Sequence, residues 1–251
     1  MSTTVLERLS TRCADLVARA VRICEVMDVM DYSGHVSARD ENDPNVMWIN
    51  NRHASRSTLT ARDIVPFDIA AGKRIGEGIE PPSEWAIHSE IYLRRADVKG
   101  IVHSHPRKCV ALSATGQTLR PIGAVGAFIP EEGAPVFDTP VLINTRERGI
   151  AMAKALGDAP LLVLRQHGMV TVGDCAEQAV MRMVRSEMNA DQIHLACAMG
   201  TPRYLTGEEL AVLRSENLGD HATRKTWRYF SMSAQKKGAF EGLPPQVDDL
   251  H

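Results

Sequence analysis

Two hydrophobic periods alternate along this chain, with no internal repeat, low-complexity tract or linker between them. Apolar residues at Val5, Leu9, Cys13, Leu16, Val17, Ala20, Cys24 and Met27 keep helical spacing and predict a first helix ending near Asp31. Residues 31–45, DYSGHVSARDENDPN, are rich in turn formers and read as a loop. Apolar runs at 46–49 and 64–69 predict strands, with Ala71-Gly72-Lys73 as the turn after the second. The segment EWAIHSEIYLRRA, from Glu84, has a helical period and Ser83 as its N-cap. Lys99 to Pro106 reads as a buried strand, and Pro106 suits the first position of a helix running to Gly116.

Residues 117–144 read as loops with short strands, and Thr145 to Leu156 as a short helix ended by Gly157. Two strand runs, 161–164 and 169–172, flank Arg165-Gln166-His167-Gly168. Asp174 with Glu177 predicts a capping-box start for a long helix to about Met199. This alternation predicts one α/β domain over 1–239, with helices on both faces of a sheet. The tail 240–251 has little to bury and is expected to be disordered.

Composition excludes several roles. Lys and Arg total 29 against 31 Asp and Glu, so no basic field points to nucleic acid. No run of apolar residues is long enough for a membrane span, and the N-terminus lacks the apolar run of a signal peptide. The 5 cysteines contain no CxxC pair, which predicts reduced thiols and a cytoplasmic setting. Cys109 and Cys175 have no fixed histidine partner in sequence and are expected to be unreactive.

The chemistry lies in the 9 histidines. His103 and His105 are two apart in a strand, so both rings emerge on one face, where two imidazoles can meet one metal ion. The alternative is a strand end whose histidines are simply hydrogen-bonded. His167, at a tight junction between two apolar runs, is placed to face a cleft. Three imidazoles with an open position make a catalytic metal arrangement. Glu84 begins a helix and shares a face with His88 one turn on. Such a carboxylate is either a helix-dipole partner, a metal ligand or a general acid/base.

Ser83 to His88, Ala96 to Pro106 and Leu161 to Gly173 together resemble the class II aldolase/adducin family over roughly residues 10 to 200. That resemblance implies a single-domain α/β/α sandwich around a mixed, largely antiparallel sheet. It implies homotetramers with active sites at subunit interfaces. It also implies that His103, His105 and His167 hold one divalent metal ion, with Glu84 as acid/base. Zinc suits three imidazoles, while manganese, cobalt or iron fit when oxygen ligands complete the shell.

The sequence departs from the sugar-phosphate members of that family. Gly34-His35-Val36-Ser37 stands where they carry an asparagine after the glycine. Asn50 to Ser55 replaces their Thr-Gly pair, and Ser83 alone remains of a serine pair. Arg52 has a planar fork suited to a carboxylate, and His53 and His35 sit beside it in this reading as substrate-binding residues, with Ser37 and Ser83. The runs around Leu59, Leu119 and Pro135 look like the family branch that decarboxylates hydroxylated aromatic or pyridine dicarboxylates. Tyr229 falls where C-terminal aromatic residues reach active sites in the family, whereas Trp227 reads as helix packing.

The expected activity is therefore metal-dependent carbon–carbon cleavage, foremost decarboxylation of a hydroxylated aromatic acid. Two alternatives stand beside it. One is aldol cleavage of a hydroxy-keto substrate, with Tyr229 protonating the leaving aldehyde. The other is a non-catalytic adducin-like interaction module. Glu84 as a proton donor near neutral pH requires a raised pKa.

Overall fold

The structure is a computed structural model and describes residues 3–245, with side chains from residue 12 onward. Helix α1 is Thr3–Val26, followed by strands β1 His35–Arg39, β2 Val46–Asn50, β3 Ile64–Asp68 and β4 Lys73–Arg74. Helix α2 is Trp85–Arg94, strand β5 Gly100–Ser104, helix α3 Arg107–Ser113 and strand β6 Val136–Phe137. Helix α4 is Arg146–Leu156, strands β7 and β8 are Leu161–Leu164 and Gly168–Gly173, and α5 is Ala176–Met199. Helices α6, Gly207–Asn217, and α7, Asp220–Lys236, complete the described fold.

The strands form one 8-stranded sheet in the order β4-β3-β2-β1-β5-β8-β7-β6. Every pairing is antiparallel except β6 with β7, so the sheet is mixed and largely antiparallel. Alternate residues of each strand serve opposite faces. Val36, Ala38, Val102 and Val163 point into a core with α1 and α5, through residues such as Val17, Val21, Val180 and Val184. Met47, Ile49, Ile101 and Val170 point the other way, into a core with α2 and α4 through Ile87, Ile91, Met152 and Leu156. The result is the α/β/α sandwich expected from the sequence. At Gly100 a Cβ would sit 2.4 Å from Ala176 Cα, so only glycine lets β5 lie this close to the start of α5.

Several local expectations are corrected. The stretch from Asp31 to Asn45 is not all loop, because β1 lies inside it and pairs with both β2 and β5. Its turn-rich flanks hid a strand whose outer-looking residues, His35 and Ser37, are in fact buried. Lys73, read as part of a turn, starts β4, with Gly72 at φ +67 making the turn before it. The N-cap of α2 is Glu84 rather than Ser83, and Pro106 is the N-cap of α3 rather than its first residue. Cys175 is the N-cap of α5, and Asp174 exchanges hydrogen bonds with Gln178, at 3.2 Å in each direction, in place of a Glu177 box. Thr145 does cap α4, accepting from the Arg148 N–H.

Arg22 on α1 ties the chain ends together. Its guanidinium, 2% exposed, donates to the carbonyls of Leu59, Thr58, Ala239 and Glu241 at 2.6 to 2.8 Å. Phe240 and Leu243 pack against the core on the same side, and Arg19 stacks over the Phe240 ring. The remainder of the tail, 246–251, lies outside the described residues. Among the described residues no helix is long and apolar enough to cross a membrane.

Candidate active site

Strand β5 ends at the site. His103 is its fourth residue and fully buried, and His105 follows just past the strand end. Across the β1–β5 ladder His103 faces His35, and across β5–β8 it pairs with Val170. The third ring arrives by a tight hairpin. Gln166 takes a left-handed φ of 56, unusual for a residue with a Cβ, and the His167 N–H closes the turn onto Leu164 O at 3.0 Å. That turn swings His167 over β5. Gly168 is obligatory beneath it, since a Cβ there would lie 2.8 Å from the His105 ring and 3.2 Å from the His103 ring.

His103, His105 and His167 each bring a ring nitrogen within 4.8 Å of the others. The second nitrogen of two of them is held from behind. His103 Nδ1 donates to Met169 O at 3.0 Å, which leaves a bare Nε2 facing inward. His105 Nδ1 donates to Asp31 Oδ1 at 3.3 Å, a carboxylate–histidine pair of the kind that orients metal ligands. Inside, His103 Nε2 and both His167 nitrogens are buried without a hydrogen-bond partner. Buried polar atoms are rarely left so. One nitrogen from each of His103, His105 and His167, all within 4.8 Å of one another, fits a divalent cation.

Glu84 faces them from the start of α2. Its carboxylate lies 3.7 Å from His103 Nε2 and 3.6 Å from His167 Nε2, and Oε1 accepts the Ile143 N–H at 2.7 Å. Burial alone would raise its pKa, but contact with His167, the charges of His103 and His167, and the Ile143 N–H outweigh burial and bring it to about 2. Glu84 is therefore a carboxylate at neutral pH, and the raised pKa required of a resident proton donor is not found. Burial pushes His103 down to about 3, with Glu84 pulling the other way. The His103 ring thus stands neutral, as a metal ligand must.

Behind this layer runs a polar seam that the sequence did not suggest. His35 Nδ1 meets His88 Nε2 at 2.6 Å, and His88 Nδ1 meets Ser37 Oγ at 2.6 Å. Ser37 Oγ lies 2.9 Å from Tyr92 Oη, which reaches Lys99 O at 3.4 Å. His88 and Ser37 are fully buried, and burial drives His88 down to about 3. Asp31, Tyr92 and the Ile143 N–H carry no sequence signal, because each matters only through a partner distant along the chain.

The other expected site residues lie apart. Arg52, His53 and Ser83 are exposed, and none of their side chains has a hydrogen bond or ion pair to the histidine cluster. Tyr229 on α7 is 67% exposed, while Trp227 is buried as core. In the 51–56 loop the buried cation is Arg56 instead, whose guanidinium donates to Gly34 O at 3.1 Å and to Ala54 O at 2.5 Å. Cys109 is buried, and burial pushes its thiol well up, as expected of an unreactive cysteine.

Three histidines and one glutamate at the end of a mixed sheet form a cluster that could hold a metal ion. Comparison with known proteins agrees: the family described as Class II Aldolase and Adducin N-terminal domain matches residues 16–194. The chain belongs to the class II aldolase/adducin family. It is 33% identical over 210 residues to a 3,4-dihydroxyphthalate decarboxylase of Terrabacter sp. (strain DBF63), covering 79% of this chain and 87% of that protein. It is 29% identical over 228 residues to the enzyme of the same name from Arthrobacter keyseri, covering 86% of this chain and 91% of that one. Among solved structures, an L-fuculose 1-phosphate aldolase from Glaciozyma antarctica PI12 superposes with a TM-score of 0.82 at 21% identity, over 97% of this chain and 96% of that one. At that identity the superposition speaks for the fold.

Proposed function

We propose that this protein is a divalent-metal-dependent decarboxylase of a hydroxylated aromatic dicarboxylate of the dihydroxyphthalate type. The observation that carries the reading is the gathering of one nitrogen each from His103, His105 and His167 beside an ionised Glu84, with His103 Nε2 and His167 buried and unpartnered. The similarity to the two phthalate decarboxylases, over most of both chains, supplies the substrate class.

His103, His105 and His167 would hold the ion, and Glu84 borders it. A divalent ion there supplies a Lewis acid for the electron pair left when the carbon–carbon bond breaks. The chain's own residues handle the proton. Glu84, being ionised, first takes a proton from the hydroxyl ortho to the leaving carboxylate and returns it to the carboxylated ring carbon. The ring–carboxylate bond then breaks, CO₂ leaves, and its electron pair restores the aromatic ring as a phenolate. The phenolate takes one proton from water, so each turnover consumes one proton. The Ile143 N–H engages Oε1 of Glu84, so Oε2 is the oxygen proposed to carry the proton.

His35 reaches this pocket, within 4.8 Å of Glu84 and His103 donors, and is the protein group proposed to meet a substrate oxygen. Arg52, His53, Ser83 and Tyr229 are proposed to act at the pocket mouth or in a homotetramer with sites at subunit interfaces, which is consistent with their exposure in the single chain. Zinc suits the imidazole set, with manganese, cobalt or iron as the other candidates. The 1–239 span is proposed as the catalytic domain, and the cytoplasm as its setting.

The test is a panel. Protein loaded with each metal is incubated with dihydroxyphthalates, hydroxypyridine dicarboxylates and hydroxy-keto sugars, with and without phosphate. CO₂ release from an ortho-hydroxy diacid supports the proposal. Cleavage of a hydroxy-keto substrate with no CO₂ from any acid would replace it by the aldolase reading. Protein that binds no metal and transforms nothing would leave the interaction-module reading.

A further inference from the structure

The seam behind His35 connects residues from two elements in a regular way. His35 and Ser37 are two apart on β1 and share a face, and His88 and Tyr92 are four apart on α2 and share another. The two pairs interlock into one file: His35, His88, Ser37, Tyr92 and the Lys99 carbonyl, with successive contacts of 2.6, 2.6, 2.9 and 3.4 Å. All four side chains are 4% exposed or less. Arg39 stacks on the Tyr92 ring at 4.5 Å and donates to Tyr92 O at 2.7 Å, fixing the outer end.

Such a file has two self-consistent proton arrangements. In one, Tyr92 donates to Lys99 O and every proton points outward, leaving His35 with a bare Nε2. In the other, Tyr92 donates to Ser37, Ser37 to His88 Nδ1 and His88 Nε2–H to His35 Nδ1, so that His35 carries its proton on Nε2. Both arrangements keep the 2.6, 2.6 and 2.9 Å contacts, and the first adds only the 3.4 Å contact to Lys99, a poor hydrogen bond, so the groups around His35 decide between them. The Glu84 carboxylate, which has an oxygen within 4.8 Å of a His35 ring nitrogen, prefers to face a donor and selects the second arrangement.

We infer that Tyr92, Ser37 and His88 form a positioning relay that fixes His35 as an Nε2–H donor for a substrate oxyanion, selecting carboxylate-bearing substrates. Ser37 then acts through His88, and does not itself contact substrate. The identity of the oxyanion rests on the decarboxylase reading, whereas the tautomer does not.

The experiment reads the tautomer directly. Histidine-labelled protein loaded with zinc gives long-range nitrogen–proton NMR correlations, with His35 assigned by its loss in His35→Asn. The expected wild-type signal has the proton on Nε2. Tyr92→Phe and Ser37→Ala each remove one hydroxyl and shift His35 toward a tautomer mixture. Each also raises KM for the diacid about five- to tenfold, the scale of one ordinary hydrogen bond, because the tautomer is only partly shifted. The double variant is no worse than either single one, because both break the same file. Zinc affinity, read by chelator competition, stays within twofold. A wild-type His35 protonated on Nδ1, or a tautomer indifferent to both substitutions, would overturn the relay. Retention of the Nε2–H tautomer without CO₂ release from any acid would overturn the decarboxylase reading and leave the relay standing.

Discussion

His35 and His103 oppose each other across the β1–β5 ladder with ring centroids 4.9 Å apart, and the two rings have different duties. His103 turns its inner nitrogen toward Glu84 and anchors the outer one on a backbone carbonyl. His35 is anchored on another histidine, and through it on Ser37 and Tyr92. A single strand register therefore places the proposed metal ligand and the proposed substrate-facing donor side by side.

Gly168→Ala tests how tightly the hairpin is stacked on that register. Its Cβ would meet Ser104 O at 2.5 Å and both strand histidines closely. We expect a loss of about 1–3 kcal/mol of stability and a weakened metal affinity. Thermal unfolding with and without zinc separates the two; an unchanged Tm would contradict the close packing.

Asp31→Asn removes the charge that orients His105 while keeping a polar group in place. Metal affinity should fall about tenfold, at the low end for such partners because this pair is partly exposed. Chelator competition measures it, and unchanged affinity would mean that the Asp31 contact is incidental.

Acid should unfold the metal-free protein in two stages. His88 and His103 have folded pKa values of about 3. Unfolded, near their ordinary 6.5, they bind protons that the native state refuses, so stability falls as pH drops below about 6.5 toward 3. Glu84 is depressed from 4.5 to about 2, so its contribution is present above 4.5 and is lost as pH falls toward 2. Urea midpoints measured against pH should decline from near 6.5 downward; a flat profile to pH 4 would contradict the burial of these neutral rings.

Arg22→Met should cost about 3 kcal/mol, since it leaves four carbonyls without their buried donor. Hydrogen exchange should quicken first in the segments around Leu59 and Ala239, which that guanidinium holds.

That His103, His105, His167 and Glu84 come together was legible in the sequence because each position has a local signal. His103 and His105 share strand parity, Glu84 begins a helix, and His167 sits in a turn between two strands. Helices α1 and α5 and strands β5, β7 and β8 were legible for the same reason. Strand β1 was not, because His35 and Ser37 break its apolar alternation; they are tolerable inside only because His88 and Tyr92, some fifty residues away in sequence, complete them. Helices α6 and α7 went unassigned. Arg52 and His53 were chosen for their chemistry, and their chemistry does not reveal that the buried arginine of that loop is Arg56.

The central claim is that Glu84 and the three-histidine site release CO₂ from a dihydroxyphthalate. The direct measurement is CO₂ evolution from such an acid in heavy water, by wild type, metal-stripped protein and Glu84→Gln. The account predicts CO₂ from the wild type with one deuteron at the vacated ring carbon, none above background after stripping, recovery on adding metal back, and a loss of about 10²–10⁴-fold in Glu84→Gln. CO₂ release that survives stripping, or that Glu84→Gln leaves unchanged, would contradict it.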